Sequence, residues 1–454
     1  MADCIRFSGF ELNVAAYSLR RAGRAIKLER IPMEVLMLLA RRPGELVLRS
    51  EIQAALWDPD VHVEHASAIN TAIRKIRRAL GDSADRPCII ETIVGKGYRF
   101  IAAVENAGVA MPGINRGART TRALPAAYDA YVRGRHAWNK RTEPHLREGL
   151  RWFQLAIDAD PTYAPAYAGL ADCYGQLGYG SYVPPHESFP RARAAALRAL
   201  HLDPALAEAH AALGFALMYY DWDFPGAEAA YTRALALNRD SEVAHQWYAY
   251  LLTAMERPLT EAEREIATAR QLDPLSVAIN IDHAYILHYY GRNDDALRAV
   301  RRGLEMNPEY PGGYFWLARI YTAEGRYDEA ELAVGKIGPL RTWAPAMAVL
   351  GYLYARTGRT ADAHAILSEF EMLTRSGRYA SSYAIAVVHA GLGDAERALA
   401  ALHDAYEERS HWLVWLKRDP RWSNIRSDPR FQSLVKQVGL PVQMVTNDAK
   451  RTQS

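Results

Sequence analysis

Residues 64–80 read Glu-His-Ala-Ser-Ala-Ile-Asn-Thr-Ala-Ile-Arg-Lys-Ile-Arg-Arg-Ala-Leu. On a helix at 100° per residue, Ile69, Ile73, Ile76 and Leu80 fall on one narrow stripe. The other side gathers Ser67, Asn70, Thr71, Arg74, Lys75 and Arg78, and between Glu64 and Asp82 the chain has no acid. Such a helix can seat its stripe on a small core and offer hydrogen-bond donors to the major groove of DNA. The plainer alternative for an isolated helix is a solvated basic face.

The next segment of chain favours the first reading. Cys88-Ile-Ile-Glu-Thr-Ile-Val and Tyr98-Arg-Phe-Ile-Ala-Ala-Val104 are β-rich runs joined by Gly95-Lys-Gly97. Glycine accepts the positive φ of tight hairpin turns, so the segment is expected to form a hairpin over 88–104. A basic amphipathic helix followed by a hairpin tipped with lysine is the layout of a winged helix-turn-helix. In that layout the helix lies in the major groove and the hairpin reaches the minor groove or phosphates.

Several segments then match a known family in order and spacing: Ile26-Lys-Leu28, Pro32–Ala40, Pro43–Glu51, Leu56-Trp57, Ile73–Leu80 and Thr92-Ile-Val-Gly-Lys-Gly-Tyr-Arg-Phe100. Over about the first 105 residues the chain resembles the OmpR/PhoB-type DNA-binding domain. The resemblance implies a short N-terminal antiparallel sheet, three helices with the third as reader, and a C-terminal wing. It places Asn70, Thr71, Arg74 and Arg78 at bases and phosphates, and Thr92, Lys96 and Tyr98 in the wing. It also makes the connection Trp57–Glu64 a surface for RNA polymerase, with Asp58 and Asp60 as contacts; an ordinary polar Asp-Pro loop is the alternative. Val94 stands where many members carry an arginine, which argues against an arginine in the minor groove there.

At 454 residues the chain exceeds one core and should hold two or more domains. Its formal charge of +3 is unevenly spread. Residues 1–106 carry a balance of +3, Arg116, Arg119 and Arg122 add another +3 in a stretch without acids, and the remainder is therefore −3. Positive charge thus sits on and beside the proposed reader. Three widely spaced cysteines, Cys4, Cys88 and Cys173, argue for a reducing, cytoplasmic compartment and for buried structural thiols. A redox pair of Cys4 and Cys88 is the other reading. No signal peptide opens the chain, and no run approaches the about 20 apolar residues that cross a bilayer.

Residues 5–13 and 17–28 read as short strands with a turn at Ala22-Gly23. Val35, Leu36, Leu38 and Leu39 give a first helix its buried face, ended by Pro43-Gly44, and Ser50 is expected to cap a second helix from Glu51 to Trp57. Residues 106–124 read as a flexible basic linker, and 442–454 as a frayed tail.

From Pro125 the sequence repeats. Asp160-Pro161, Asp203-Pro204, Asn238-Arg239, Asp273-Pro274 and Asn307-Pro308 recur at steps of 43, 35, 35 and 34. Small residues follow the same period at Ala171, Gly214, Ala249, Ala284, Ala318, Gly351 and Ala386, with a second series at Ala296, Ala330, Ala363 and Ala398. The segment Tyr314-x-x-Leu317-Ala318-x-x-Tyr321 with Gly325 and Ala330 resembles the tetratricopeptide repeat. That resemblance implies an α-solenoid of seven or eight helix pairs over 125–441, with an insertion near Tyr179–Glu187. It also implies a concave groove lined by Phe215, Met218, Tyr219, Gln246, Tyr250, Tyr285, His288, Tyr289, Phe315, Arg319, Tyr352 and Tyr383. Such aromatics suit a protein or peptide ligand; packing between repeats is the alternative use. Trp412, Trp415 and Phe431 depart from the period and are expected to cap the solenoid.

Catalytic signatures are missing: no phosphate loop, no Gly-x-Ser-x-Gly, and His186-Glu187 continues into Ser188, Phe189 and Pro190 instead of a zinc motif. The expectation is a mostly α protein: a small α+β winged helix-turn-helix domain (1–105), then an α-solenoid. It is expected to be a transcription regulator, without enzymatic activity, cofactor or metal. Its expected partners are double-stranded promoter DNA, RNA polymerase and a protein, peptide or small effector in the repeats, with no membrane. The rival is an interaction scaffold whose winged helix contacts protein.

Overall fold

A computed structural model describes residues 4–14, 17–21, 23–44, 46–56, 65–83, 87–93, 96–102, 104–105, 124–274, 276–338 and 342–441, with the side chains of 4, 30, 50, 54, 65–68, 104 and 105 outside that description. Two compact units result, Met1–Arg122 and Ala123–Ser454.

The first unit runs β1 (Cys4–Phe7), β2 (Phe10–Asn13), β3 (Ser18–Arg21), β4 (Arg24–Ile26), α1 (Arg30–Ala40), β5 (Leu46–Leu48), α2 (Arg49–Leu56), α3 (His65–Leu80), β6 (Ile90–Ile93), β7 (Gly97–Phe100) and β8 (Val104–Glu105). One antiparallel sheet has the order β4-β3-β2-β1-β8 and a second the order β5-β7-β6. The four-residue stripe of α3 is buried as its spacing dictates, in one core with Val35, Leu36 and Leu39 of α1. Each such side chain contributes roughly 1.5–3 kcal/mol by leaving water, which outweighs helix propensity in fixing α3. Phe7 meets Phe100 edge-on at 4.9 Å and so ties the two sheets together.

Three details differ from expectation. The hairpin is shorter than 88–104, because residues 104–105 leave it and pair with Arg6 and Phe7 of β1. Gly97 has no positive φ. It is required because a Cβ there would lie 2.0 Å from the Val47 carbonyl oxygen of β5, a strand the sequence pattern did not announce. Helix α2 begins at Arg49, and the Glu51 carboxylate accepts the Leu48 N–H at 2.7 Å, so Glu51 does the terminal work assigned to Ser50.

The second unit holds eight helix pairs among the described residues. The first helices are α4 (Pro125–Asn139), α6 (Ala164–Tyr179), α8 (Ala207–Ala216), α10 (Glu242–Ala254), α12 (Val277–Tyr289), α14 (Pro311–Ala323), α16 (Ala344–Arg356) and α18 (Ser382–Gly391). Their partners are α5 (Glu143–Ala159), α7 (Pro185–Leu202), α9 (Phe224–Leu237), α11 (Leu259–Leu272), α13 (Asn293–Met306), α15 (Tyr327–Gly335), α17 (Thr360–Arg375) and α19 (Ala395–Glu407). Both small-residue series are buried at helix contacts. At Gly351 a Cβ would stand 2.7 Å from Val388, which is why the period demands a small residue there.

The C-terminal segment does more than cap. After Arg409, held at φ 57°, the chain makes two 3-10 turns, His411–Trp415 and Pro420–Trp422, before α20 (Pro429–Gln437). Trp412 stacks on Tyr179 at 6.4 Å and on Tyr383 at 6.0 Å. Those tyrosines belong to the second and eighth pairs, so the superhelix closes around this strap. Trp415 stacks on Tyr289 at 4.7 Å and meets Tyr285 edge-on at 5.0 Å. Asp419, wholly buried, accepts from Arg319 at 3.0 Å and from the Tyr383 hydroxyl at 3.1 Å. Burial alone would raise its carboxyl, but Arg421 and Arg319 outweigh it and hold the group well below the usual carboxylate range. The insertion after α6 belongs to the same closure: the Gly180 carbonyl accepts from the Trp343 indole and the Ser181 hydroxyl from the Trp412 indole.

Burial pushes the His411 imidazole down from 6.5 to about 3. The unfolded chain gains a proton there below about pH 6.5 while the folded chain does not. This residue's contribution is therefore whole above that pH and is lost as pH falls toward 3. Denaturation of the array at about pH 7.5 and about pH 5 should show the natural chain losing about 2 kcal/mol more than His411→Phe. Other groups titrating in this window, such as His288 and Asp282, are common to both proteins and cancel.

Candidate nucleic-acid interface

Helix α3 and the β6–β7 wing enclose a cleft of about 570 Å³ whose lining includes Arg49, Arg74, Arg77, Arg78 and Asp82. Arg74 and Arg78 are exposed and have no ion-pair partner among the described residues. Two contacts set the angle between helix and wing. Arg77 Nη2 donates to the Ile90 carbonyl at 2.7 Å and to Thr92 Oγ1 at 2.9 Å. The Asp82 carboxylate, withdrawn from solvent, accepts the N–H groups of Cys88 at 2.8 Å, Ile89 at 3.3 Å and Ile90 at 2.9 Å. A buried carboxylate is tolerated only when its lone pairs are filled in this way.

Asn70 is exposed near the start of α3, and its amide oxygen accepts from Arg49 Nη2 and from the Tyr98 hydroxyl, both at 2.9 Å. Arg49 Nη2 also donates to the Tyr98 oxygen at 2.9 Å, and its guanidinium lies 5.1 Å from the Tyr98 ring centroid. The three side chains form a closed triangle at the mouth of the cleft.

The expected contact residues therefore divide. Asn70, Arg74 and Arg78 face outward with Thr71 half-buried beside them, and Lys96 is exposed at the wing turn. Lys75 instead pairs with Glu29 at 2.5 Å, on the flank where α3 meets the start of α1. Tyr98 is a core residue, only 2% exposed, whose hydroxyl alone reaches the cleft. Burial pushes the pKa of that phenol up. Thr92 is engaged by Arg77. The Ser67 side chain, Asp58, Asp60 and Val94 lie outside the described residues. Sequence reasoning missed Arg49, Arg77 and Asp82 as site residues. Cys88 is exposed, contrary to the expectation of a buried thiol, whereas Cys173 is buried.

In the second unit, the residues expected to line an open groove are buried, apart from half-buried Tyr352. The strap covers part of the set: Tyr219 faces His411 at 6.2 Å, Tyr285 and Tyr289 face Trp415, Tyr383 stacks on Trp412, and Arg319 holds Asp419. Others pack between repeats, Phe215 on Trp247 at 4.6 Å, Tyr250 on Tyr285 at 4.8 Å and Phe315 on Trp343 at 5.0 Å. His288 is bonded to Asn293 at 2.9 Å and is pushed down to about 4 by burial. In place of an accessible aromatic groove these side chains are buried, some against residues 410–422 and some, as the alternative use had it, in packing between repeats. No group of metal-ligating side chains occurs among the described residues, and no described helix is long and apolar enough to cross a membrane.

Residues 23–100 match the family described as "Transcriptional regulatory protein, C terminal", and residues 287–340 match the tetratricopeptide repeat. The chain is 36% identical over 101 residues to the TorCAD operon transcriptional regulatory protein TorR of Escherichia coli K12, covering 22% of this chain and 41% of that one. It is 26% identical over 168 residues to transcriptional regulator HilA of Salmonella typhimurium, covering 37% and 30% respectively. Solved structures with a likeness include the Klebsiella pneumoniae RstA DNA-binding domain in complex with the RstA box (24% identity, TM-score 0.20, 22% of this chain and 96% of that one). Another is yeast Tom70 (14% identity, TM-score 0.42, 73% and 71%). The chain spans about two-fifths of the length of TorR. The first unit is an OmpR/PhoB-type winged helix-turn-helix domain. The second is a tetratricopeptide array.

Removing the Asp82 carboxylate leaves three N–H groups short of an acceptor and takes the counter-charge from the Arg77 guanidinium, 3.9 Å away. Asp82→Ala should lower protection of β6 and β7 against hydrogen exchange by roughly 2–4 kcal/mol, leaving α10 to α14 unchanged.

Proposed function

We propose that this protein is a sequence-specific DNA-binding transcription regulator. Helix α3 reads the major groove, the wing touches phosphates or the adjacent minor groove, and a partner bound to the repeat array governs that reading. The observation that carries the DNA half is the acid-free outer face of α3, with Arg74 and Arg78 exposed beside a wing fixed by Arg77 and Asp82. Family membership of residues 23–100 supports it.

The regulatory half is supported by an array of eight helix pairs, large enough to receive a protein or peptide. Since the aromatics named for the groove are buried, the outward helices of the pairs are the surface for that partner. Asp58 and Asp60 remain the proposed polymerase contacts.

Filter binding of a selected duplex across salt tests the DNA half. Affinity should fall steeply as salt rises, because each neutralised phosphate releases counterions. Arg74→Ala should weaken the specific duplex by about 1–3 kcal/mol, and Arg78→Ala should flatten the salt slope by about one unit. A flat, weak response in the natural chain would favour a protein-contacting scaffold instead.

A further inference from the structure

The triangle of Arg49, Asn70 and Tyr98 bears on which base the helix can read. Arg49 has donors only. The atom of Asn70 facing it at 2.9 Å must therefore be the amide oxygen, and the orientation of the amide follows from chemistry. That oxygen has two lone pairs. Arg49 Nη2 takes one and the Tyr98 hydroxyl the other. Tyr98 is fixed in turn, buried in the core and accepting from the same guanidinium. What Asn70 turns outward is the amino group, which has no partner among the described residues.

We propose that Arg49 is a specificity-determining positioning residue: by saturating the Asn70 carbonyl it makes Asn70 a donor-only reader that selects guanine over adenine. This rests on the DNA-binding reading above and names its base preference. An asparagine reads adenine by giving its N–H to N7 and taking the N6–H on its carbonyl. Here the second half of that contact is closed. Guanine, with acceptors at both N7 and O6, suits a bare amino group best; adenine offers it N7 beside an opposing N6 donor, thymine O4 alone, and cytosine a donor. Arg74 and Arg78 beside it are donors as well, so the outward face of α3 favours acceptor-rich edges throughout.

Selection from random duplex DNA by the full chain tests this. Asn70→Ala locates the position, as the one whose base preference it erases. At that position the natural chain should hold guanine at about tenfold over adenine. Arg49→Ala, with an unchanged thermal unfolding curve, should raise the adenine share about tenfold. Arg49→Lys, which keeps a donor, should restore most of the original preference. Tyr98→Phe should move the preference the same way as Arg49→Ala by a smaller factor, which keeps the test alive where Arg49→Ala fails to fold. Adenine at that position in the natural chain, or a base distribution unmoved by Arg49→Ala, overturns the inference while leaving the DNA reading intact. Recovery of no motif at all overturns the DNA reading and this inference with it.

Discussion

A carboxylate taken wholly out of water and then filled by donors at the start of the next strand is the constraint on which the first unit depends. Asp82 stands at the end of α3, yet its acceptors serve the start of β6. Helix and wing are thereby joined at a fixed angle, with Arg77 repeating the link one turn earlier. The hydrophobic stripe decides which side of α3 is buried. It does not decide where the wing stands relative to the exposed side, because apolar contact has little direction. The directional part comes from charge-assisted hydrogen bonds, which are strong where solvent is excluded. The result is a cleft of set width, lined by arginines.

Asp419 plays the same part in the array. Stacked helix pairs form a solenoid by contacts between neighbours alone, but nothing in neighbour contacts closes it. Closure comes from the strap: Trp412 stacks between Tyr179 of the second pair and Tyr383 of the eighth, and the buried Asp419 anchors the strap to Arg319 and Tyr383. Removing one member of a buried pair typically costs about 3–5 kcal/mol. Aromatics of the inner face then serve the strap: Tyr179 and Tyr383 stack on Trp412 and Tyr289 on Trp415, which Tyr285 meets edge-on.

The fold is legible in the sequence wherever it rests on a period. Four apolar residues at helical spacing give α3 its buried side, and small residues near every 34 give the helix pairs. The short strands β1 to β4 are legible from alternation. What escapes has no period. Strand β5 is three residues long, and its presence is recorded only in Gly97, whose necessity looks like turn chemistry until the Val47 carbonyl is seen beside it. Arg49 lies 21 residues from Asn70 and 49 from Tyr98. Asp419 lies 100 from Arg319. Pairings across such distances leave no local signature. Register groups Phe215, Tyr219, Tyr250, Tyr285 and Tyr289 and leaves open whether they line a groove or pack; the structure buries them. Register gives the direction of a side chain and is silent on whether another segment arrives to cover it.

Everything functional turns on α3 lying in the major groove with the wing beside it. Chemical footprinting of the full chain on a duplex it selects addresses this most directly. Dimethyl sulfate reports guanine N7 in the major groove, and hydroxyl radicals report the sugars lining the minor groove. The expected result is a short window of N7 protection, with sugar protection confined to one adjacent minor-groove segment. Sugar protection with every N7 left reactive would contradict it.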